Sequence, residues 1–189
     1  MKKSVGSRAV VYPTPICVVG SYDEEGRPNA MVVAWAGLCC SKPPCFAVAL
    51  RAVTYTYAAI TARRAFTVSV PSVDYIKEVD SLGLVSGRNK NKFEMTGLTP
   101  ARGEYVDAPF IQEFPLVLEC ELRHVLELGL HTQFIGEIMD VKADEASVDD
   151  RGKIRVEDVR PIAYCPDVNR YYSLGEELGQ SFNVGRELI

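Results

Sequence analysis

From Leu116 the chain alternates with a period of two. Leu116, Leu118, Cys120 and Leu122 fall on one side, and Val117, Glu119, Glu121 and Arg123 on the other. Successive side chains of a strand point to opposite faces, so the pattern predicts a half-buried antiparallel strand. His124 shares the parity of Leu118 and Leu122 and is expected to be structural. Gly129 marks a turn, and residues 133–142 resume as a second strand.

Earlier segments repeat this alternation of short apolar runs with turns. Residues 16–21 are apolar and β-rich, Asp23-Glu24-Glu25-Gly26 supplies a turn, and residues 29–35 return as the other half of a hairpin. Lys42-Pro43-Pro44 breaks the sheet, since proline donates no ladder hydrogen bond, and residues 45–50 form the next strand. Residues 54–63 read as a short helix with threonine at its entry and arginine at its end. Residues 66–70 return to strand, 73–85 are spaced for one helix face, and 162–164 add a last short strand. The fold class is therefore mainly β: a closed or split β-barrel with a few flanking helices, although a sandwich satisfies the same pattern.

At 189 residues, with 47% hydrophobic and 24% charged side chains, the chain suits one globular domain spanning 1–189. A net charge of −4 gives no diffuse attraction to nucleic acid or anionic lipid. The longest apolar stretch, 30–40, is well short of the roughly 20 residues that span a bilayer, and no apolar run follows Lys2 and Lys3. The expected location is cytoplasmic. Six cysteines then read as reduced thiols; Cys39, Cys40 and Cys45 lack a C-x-x-C pair, so no metal site is expected, and the Cys39–Cys40 pair is expected to be buried and inert.

Two histidines, His124 and His131, exclude a three-histidine metal centre, and P-loop, dinucleotide-fold and nucleophile-elbow motifs are absent. One positive feature is Arg51-Ala52-Val53-Thr54-Tyr55-Thr56, where a strand ends and a helix begins. A helix N-terminus favours a phosphate, Arg51 adds a bidentate donor, and the threonine hydroxyls can donate as well. A simple threonine cap beside a solvated arginine explains the same residues. The strand Asn29-Ala30-Met31-Val32-Val33-Ala34-Trp35, with small residues at Ala30 and Ala34, lets a planar ligand approach the backbone, or is an ordinary barrel strand. Ser86-Gly87-Arg88-Asn89-Lys90-Asn91-Lys92-Phe93 is a basic loop able to neutralise a phosphate, or a solvated surface.

In this order and spacing, Gly26-Arg27-Pro28-Asn29-Ala30 leading to Trp35, Ser41-Lys42-Pro43-Pro44, Arg51 with Thr54 and Thr56, Ser86-Gly87 with Lys92-Phe93, and His131 before Ile135-Gly136-Glu137 resemble the flavin reductase-like family, its flavoredoxin branch in particular. The resemblance runs from about Pro13 to Gly185. It implies an FMN-binding split barrel that forms a homodimer, and an oxidoreductase in which flavin accepts hydride from NAD(P)H and passes electrons to flavin or a protein acceptor. An electron-transfer protein without nicotinamide turnover, or a non-catalytic FMN-binding module, are the alternatives. Carried over by position, Asn29, Ala30, Val33, Ala34 and Trp35 line the isoalloxazine, while Arg51, Thr54, Tyr55 and Thr56 hold the phosphate. Ser86, Gly87, Lys92 and Phe93 complete the cofactor site, and His131 is the catalytic candidate. Asn91 and Leu130 stand where relatives often have acids.

Overall fold

The computed structural model describes residues 1–189, apart from the side chain of Glu187. A short β1 (Thr14–Pro15) precedes the hairpin β2 (Cys17–Tyr22) and β3 (Pro28–Val33), then a second hairpin, β4 (Ala36–Ser41) and β5 (Pro44–Arg51). Next come α1 (Tyr55–Arg63), β6 (Ala65–Val70), α2 (Ile76–Leu84) and α3 (Lys92–Thr96). A small pair, β7 (Pro100–Arg102) and β8 (Pro109–Ile111), leads into a long hairpin, β9 (Leu116–Leu128) and β10 (His131–Ala143). The chain ends with α4 (Val156–Val159), β11 (Ile162–Cys165), β12 (Arg170–Ser173) and a final 3₁₀ turn.

Seven strands form one antiparallel sheet in the order β3-β2-β6-β9-β10-β5-β4. The sheet curls into an incompletely closed barrel, as twisted sheets of this size do. Val19, Val48, Leu50, Phe66, Val68 and Phe134 fill its interior. The alternate side of β2 and β3 packs against α2, α3 and β11 through Val18, Ala30, Val79, Leu82, Phe93 and Ile162. Val18 and Val19 thus serve two different cores, which is why β2 is buried from Cys17 to Ser21. β10 bends at register shifts after Ile135 and Ile138. At the first bend only glycine fits, since a Cβ on Gly136 would come within 2.7 Å of the Phe66 ring and 2.8 Å of Cys120 Cβ.

Several sequence expectations change here. The strand expected over 29–35 stops at Val33, and the apolar run continues after a turn as a separate strand, β4. The helix expected over 73–85 is a 3₁₀ turn followed by α2. The end of the basic loop is helical, because Asn91 Oδ1 accepts from the backbone N–H of Phe93 at 3.2 Å and of Glu94 at 3.4 Å and starts α3. His124 is exposed, since β9 has left the barrel by that point.

β9 is also not half-buried in its first part: Val117 and Glu119 are covered as fully as their neighbours. Glu119 is 0% exposed. Its Oε2 accepts from the backbone N–H of Tyr105 at 2.7 Å and of Val106 at 3.2 Å, pinning the loop between β7 and β8 onto the sheet. Oε1 lies 3.2 Å from Lys142 Nζ in an ion pair. A buried carboxylate is retained only with such partners, because an unpaired one is strongly disfavoured away from water. Replacing Glu119 by Gln keeps the shape but loses two charge-assisted bonds, so urea unfolding should show a loss of about 2 kcal/mol. A change below about 0.5 kcal/mol would mean that the loop is held without the carboxylate.

Candidate functional site

Three segments converge where β5 gives way to α1. Thr54 closes the turn after β5, its N–H donating to Arg51 O at 2.9 Å and its hydroxyl to the same carbonyl at 2.8 Å. That hydroxyl therefore caps no helical N–H, contrary to the capping reading. The N–H groups of the first turn of α1 remain without intrahelical acceptors, and no acidic side chain stands in that turn. Such an end is suited to an anion.

β3 faces this helix end. Asn29 is buried, and its Nδ2 donates to Thr56 Oγ1 at 2.9 Å, locking the strand to the first turn of α1. Asn29 Oδ1 is buried without a partner among the described residues. Buried amide oxygens are nearly always satisfied, so an unpartnered one beside a cavity marks a place for a donor from outside the protein. The third segment is the loop after α2. Gly87 passes so close that a Cβ there would stand 2.2 Å from Asn29 Oδ1 and 2.8 Å from Tyr55 Cδ1. Arg88 ties the loop back, donating through Nη1 to Val53 O at 2.8 Å and lying over the Tyr55 ring at 5.8 Å.

Two charged groups behave differently here. Asp23 is buried, and burial alone would raise its carboxyl. Hydrogen bonds from the Tyr55 hydroxyl at 2.6 Å and from the Arg27 backbone and side chain outweigh that and hold it down at about 2. It is a satisfied structural carboxylate that fixes the Tyr55 ring. Lys92 is only 5% exposed, and its Nζ donates to Ala30 O at 2.8 Å and Leu82 O at 2.7 Å. It has no carboxylate partner among the described residues, and burial pushes it down to about 8. An ammonium with three donors, two carbonyls and no countercharge is receptive to an anion.

The cavity between these segments measures about 330 Å³ and is lined by Asn29, Thr54, Tyr55, Thr56, Ser86, Gly87 and Lys92, among others. It joins a second compartment of about 290 Å³ through Met31, Val32, Thr54 and Gly83. Val33, Ala34, Trp35, Arg51 and His131 line that second part, with Tyr164 and Tyr171 opposite. The Trp35 and His131 rings lie within 10° of parallel, their centroids 6.5 Å apart. The expected grip at residues 51–56 is thus divided. Arg51, paired across the ladder with His131, belongs to the apolar compartment, while Tyr55 and Thr56 belong to the helix end.

Ala30 and Phe93 line neither compartment: Ala30, on β3, is fully buried, and both pack in the outer core. Tyr164 and Tyr171 line the site although no motif of the sequence pointed to them, while Met31 and Arg88 belong to the strand and the loop already singled out. Tyr171 is anchored by donating to Asp80 Oδ1 at 2.8 Å, and burial, then Asp80, pushes its hydroxyl up to about 12. The aromatic composition of residues 164–172 was the one signal available, but the partner of a short terminal strand cannot be read from its own residues. Among the described residues, no three His, Cys, Asp or Glu side chains converge as a metal-binding group, and no helix is long and apolar enough to cross a membrane.

Comparison with known proteins places this geometry. Residues 8–170 match the family described as "Flavin reductase like domain". Flavoredoxin of Desulfovibrio vulgaris (Miyazaki F) superposes with a TM-score of 0.94 at 51% identity, over 98% of this chain and 100% of that one. A flavoredoxin from Methanosarcina acetivorans also gives a TM-score of 0.94, at 28% identity and 100% coverage of both chains. An uncharacterised protein of Archaeoglobus fulgidus is 31% identical over 84% of this chain and 81% of its own length. With the family match spanning most of the sequence and a barrel of the same shape in these relatives, the chain belongs to the flavin reductase-like domain family.

Proposed function

We propose that the chain, as one domain, is an FMN-binding oxidoreductase that takes hydride from NADH or NADPH and passes electrons to flavin or to a protein acceptor. The observation that carries the reading is the unpartnered buried oxygen of Asn29, set between the open N-terminus of α1 and a glycine cradle. A group with a phosphate and hydroxyls at one end and a flat apolar ring at the other fits the two joined compartments. The α1 N–H groups, Thr56, Ser86 and Lys92 would take the phosphate end; the β3 backbone, Trp35 and Arg51 would take the ring. FMN supplies two-electron redox chemistry when bound, and the protein supplies binding, orientation and exclusion of water.

His131, held at the start of β10 beside Trp35, is the side chain proposed to act at the ring. As an edge strand, β3 leaves one row of backbone groups without strand partners, and one of these, Ala30 O, is taken by Lys92. We also propose a homodimer. Support comes from large apolar side chains left in water along the C-terminal segment, with Leu178 and Phe182 each 96% exposed.

A second reading, an electron carrier without nicotinamide turnover, draws on the 51% identity to a flavoredoxin. Anaerobic titration of the FMN-loaded protein with NADH and NADPH separates the two. Bleaching of the flavin absorption is the expected result. If FMN stays oxidised under excess of both nucleotides the reductase reading fails, and electron transfer from the photoreduced protein to a ferredoxin- or cytochrome-like acceptor would then identify a carrier.

Two predictions test the binding site itself. Gly87→Ala should weaken FMN binding by about tenfold, or 1.4 kcal/mol, because the methyl group must displace Asn29 or Tyr55. Isothermal titration with an unchanged affinity would show that the cradle is not used. The pH dependence follows from Lys92, which in the free protein loses its proton near pH 8. An adjacent phosphate favours the protonated form, so affinity is full below pH 8 and falls as pH rises past it, by up to about tenfold per unit. Between pH 7 and 9, FMN should show this slope and riboflavin, which lacks the phosphate, should not; Lys92→Met should flatten it. Parallel slopes for both ligands would place the titrating group elsewhere.

A further inference from the structure

The flavin reading uses only the Arg51 end of the β4–β5 hairpin, and the cysteines near its turn are not as the sequence suggested. Cys39 and Cys40 are exposed, and only Cys45 is buried, at 8% exposure. A β-bulge after Leu38 shifts the register so that Cys40 stands directly opposite Cys45. Directly opposed residues of an antiparallel pair have Cα atoms roughly 4.5–5.5 Å apart and side chains on one face, within the roughly 4.4–6.8 Å that a disulfide requires. Cys45 Sγ donates to Pro43 O at 3.5 Å, which holds the thiol at the turn of the hairpin.

We propose that Cys40 and Cys45 form a reversible cross-strand disulfide, made by exchange with a low-molecular-weight disulfide.

No other pairing meets the geometry as well. Cys120 is on β9, and β10 lies between β9 and β5, which sets them two strand spacings, roughly 9–10 Å, apart. Cys17 lies in the core and Cys165 on β11, in a different sheet. Cys39 is the bulge residue, next to Cys40 in sequence and opposite nothing in the ladder.

Exposure decides the order of events. Burial, then the neighbouring Cys40 and Cys39 and Glu137 across the ladder, push the Cys45 thiol up, so Cys40 is the group that meets an external disulfide first. The Cys40 thiolate attacks one sulfur of that disulfide; the old S–S bond breaks and one small thiol leaves. Cys45 then gives up its proton and attacks the Cys40 sulfur, forming the cross-strand bond and releasing the second small thiol. Two protein thiols are oxidised and one small disulfide is reduced to two thiols. The bond would clamp the edge strand β4 to β5 below the bulge, on the strand that begins immediately after Trp35.

The experiment exposes the isolated protein to oxidised glutathione, unfolds it in urea, alkylates free thiols and maps the modified peptides. Four of the six cysteines should be alkylated, with Cys40 and Cys45 protected, and dithiothreitol should restore all six. Cys39→Ser should behave as the parent does. Cys40→Ser, at an exposed position, should return Cys45 to the alkylated set, and Cys45→Ala should leave Cys40 alkylated or carrying glutathione. Circular dichroism of each variant shows whether it is folded. Six free thiols under excess oxidant, protection of Cys39 in place of Cys40, or a cross-link between two chains on a non-reducing gel would each overturn the proposal.

Discussion

Ala34 and Trp35 are all the chain that lies between the two outermost strands of a seven-stranded sheet. A flat sheet of that width would hold its edges tens of ångströms apart, at roughly 4.8 Å per strand. The three steps from Val33 to Ala36 reach at most about 11 Å, so the sheet has to roll until its edges nearly meet. The interior of the roll is then filled by Phe66, Phe134 and the branched side chains around them, and the seam becomes the one place where a cleft can persist. Both compartments of the candidate site lie along β3 at that seam, and Trp35 is part of the link itself.

The site differs from the surrounding scaffold in how its polar groups are satisfied. Glu119 and Asp23 are buried charges that each meet a cation and backbone donors, and each fixes a loop or a ring. The contribution of Asp23 to stability is present above its ordinary carboxylate range and is lost as pH falls towards 2. Lys92 and Asn29 are the reverse: a buried ammonium facing neutral carbonyls, and a buried oxygen facing nothing. Folding has taken both out of water without full compensation, which is tolerable in a native chain where a ligand later provides it.

Much of this was legible in the sequence because alternation and turn chemistry are local. The strands of the two hairpins around Gly26 and Gly129 and the helix after Thr54 all stand close to where their residues placed them. What was not legible depends on partners distant along the chain. Glu119 reads as a solvent-facing residue until the loop carrying Tyr105 and Val106 closes over it. The apolar run over 30–40 gave no sign of a turn at Ala34 and Trp35, because the closure of the sheet, not a glycine or proline, imposes it. The exposure of Cys39 and Cys40 follows from β4 being an edge, which only the strand order reveals. Asn91 serves as a helix cap, a role visible only once α3 is known to begin there.

The loop after α2 divides its labour sharply. Gly87 is shaped by backbone proximity to Asn29 and Tyr55, and Lys92 is sunk into the core, whereas Arg88, Asn89, Lys90 and Asn91 between them face outward. The cradle is thus drawn by main chain and by two fixed points, and in the stretch between them Arg88, tied to Val53 O, and Asn91, the cap of α3, have side-chain roles of their own. Surface charge at the mouth of the site can be rewritten at the exposed Asn89 and Lys90 without redrawing the pocket behind it. That separation of a rigid interior from an editable rim lets surface charge and cavity shape change independently.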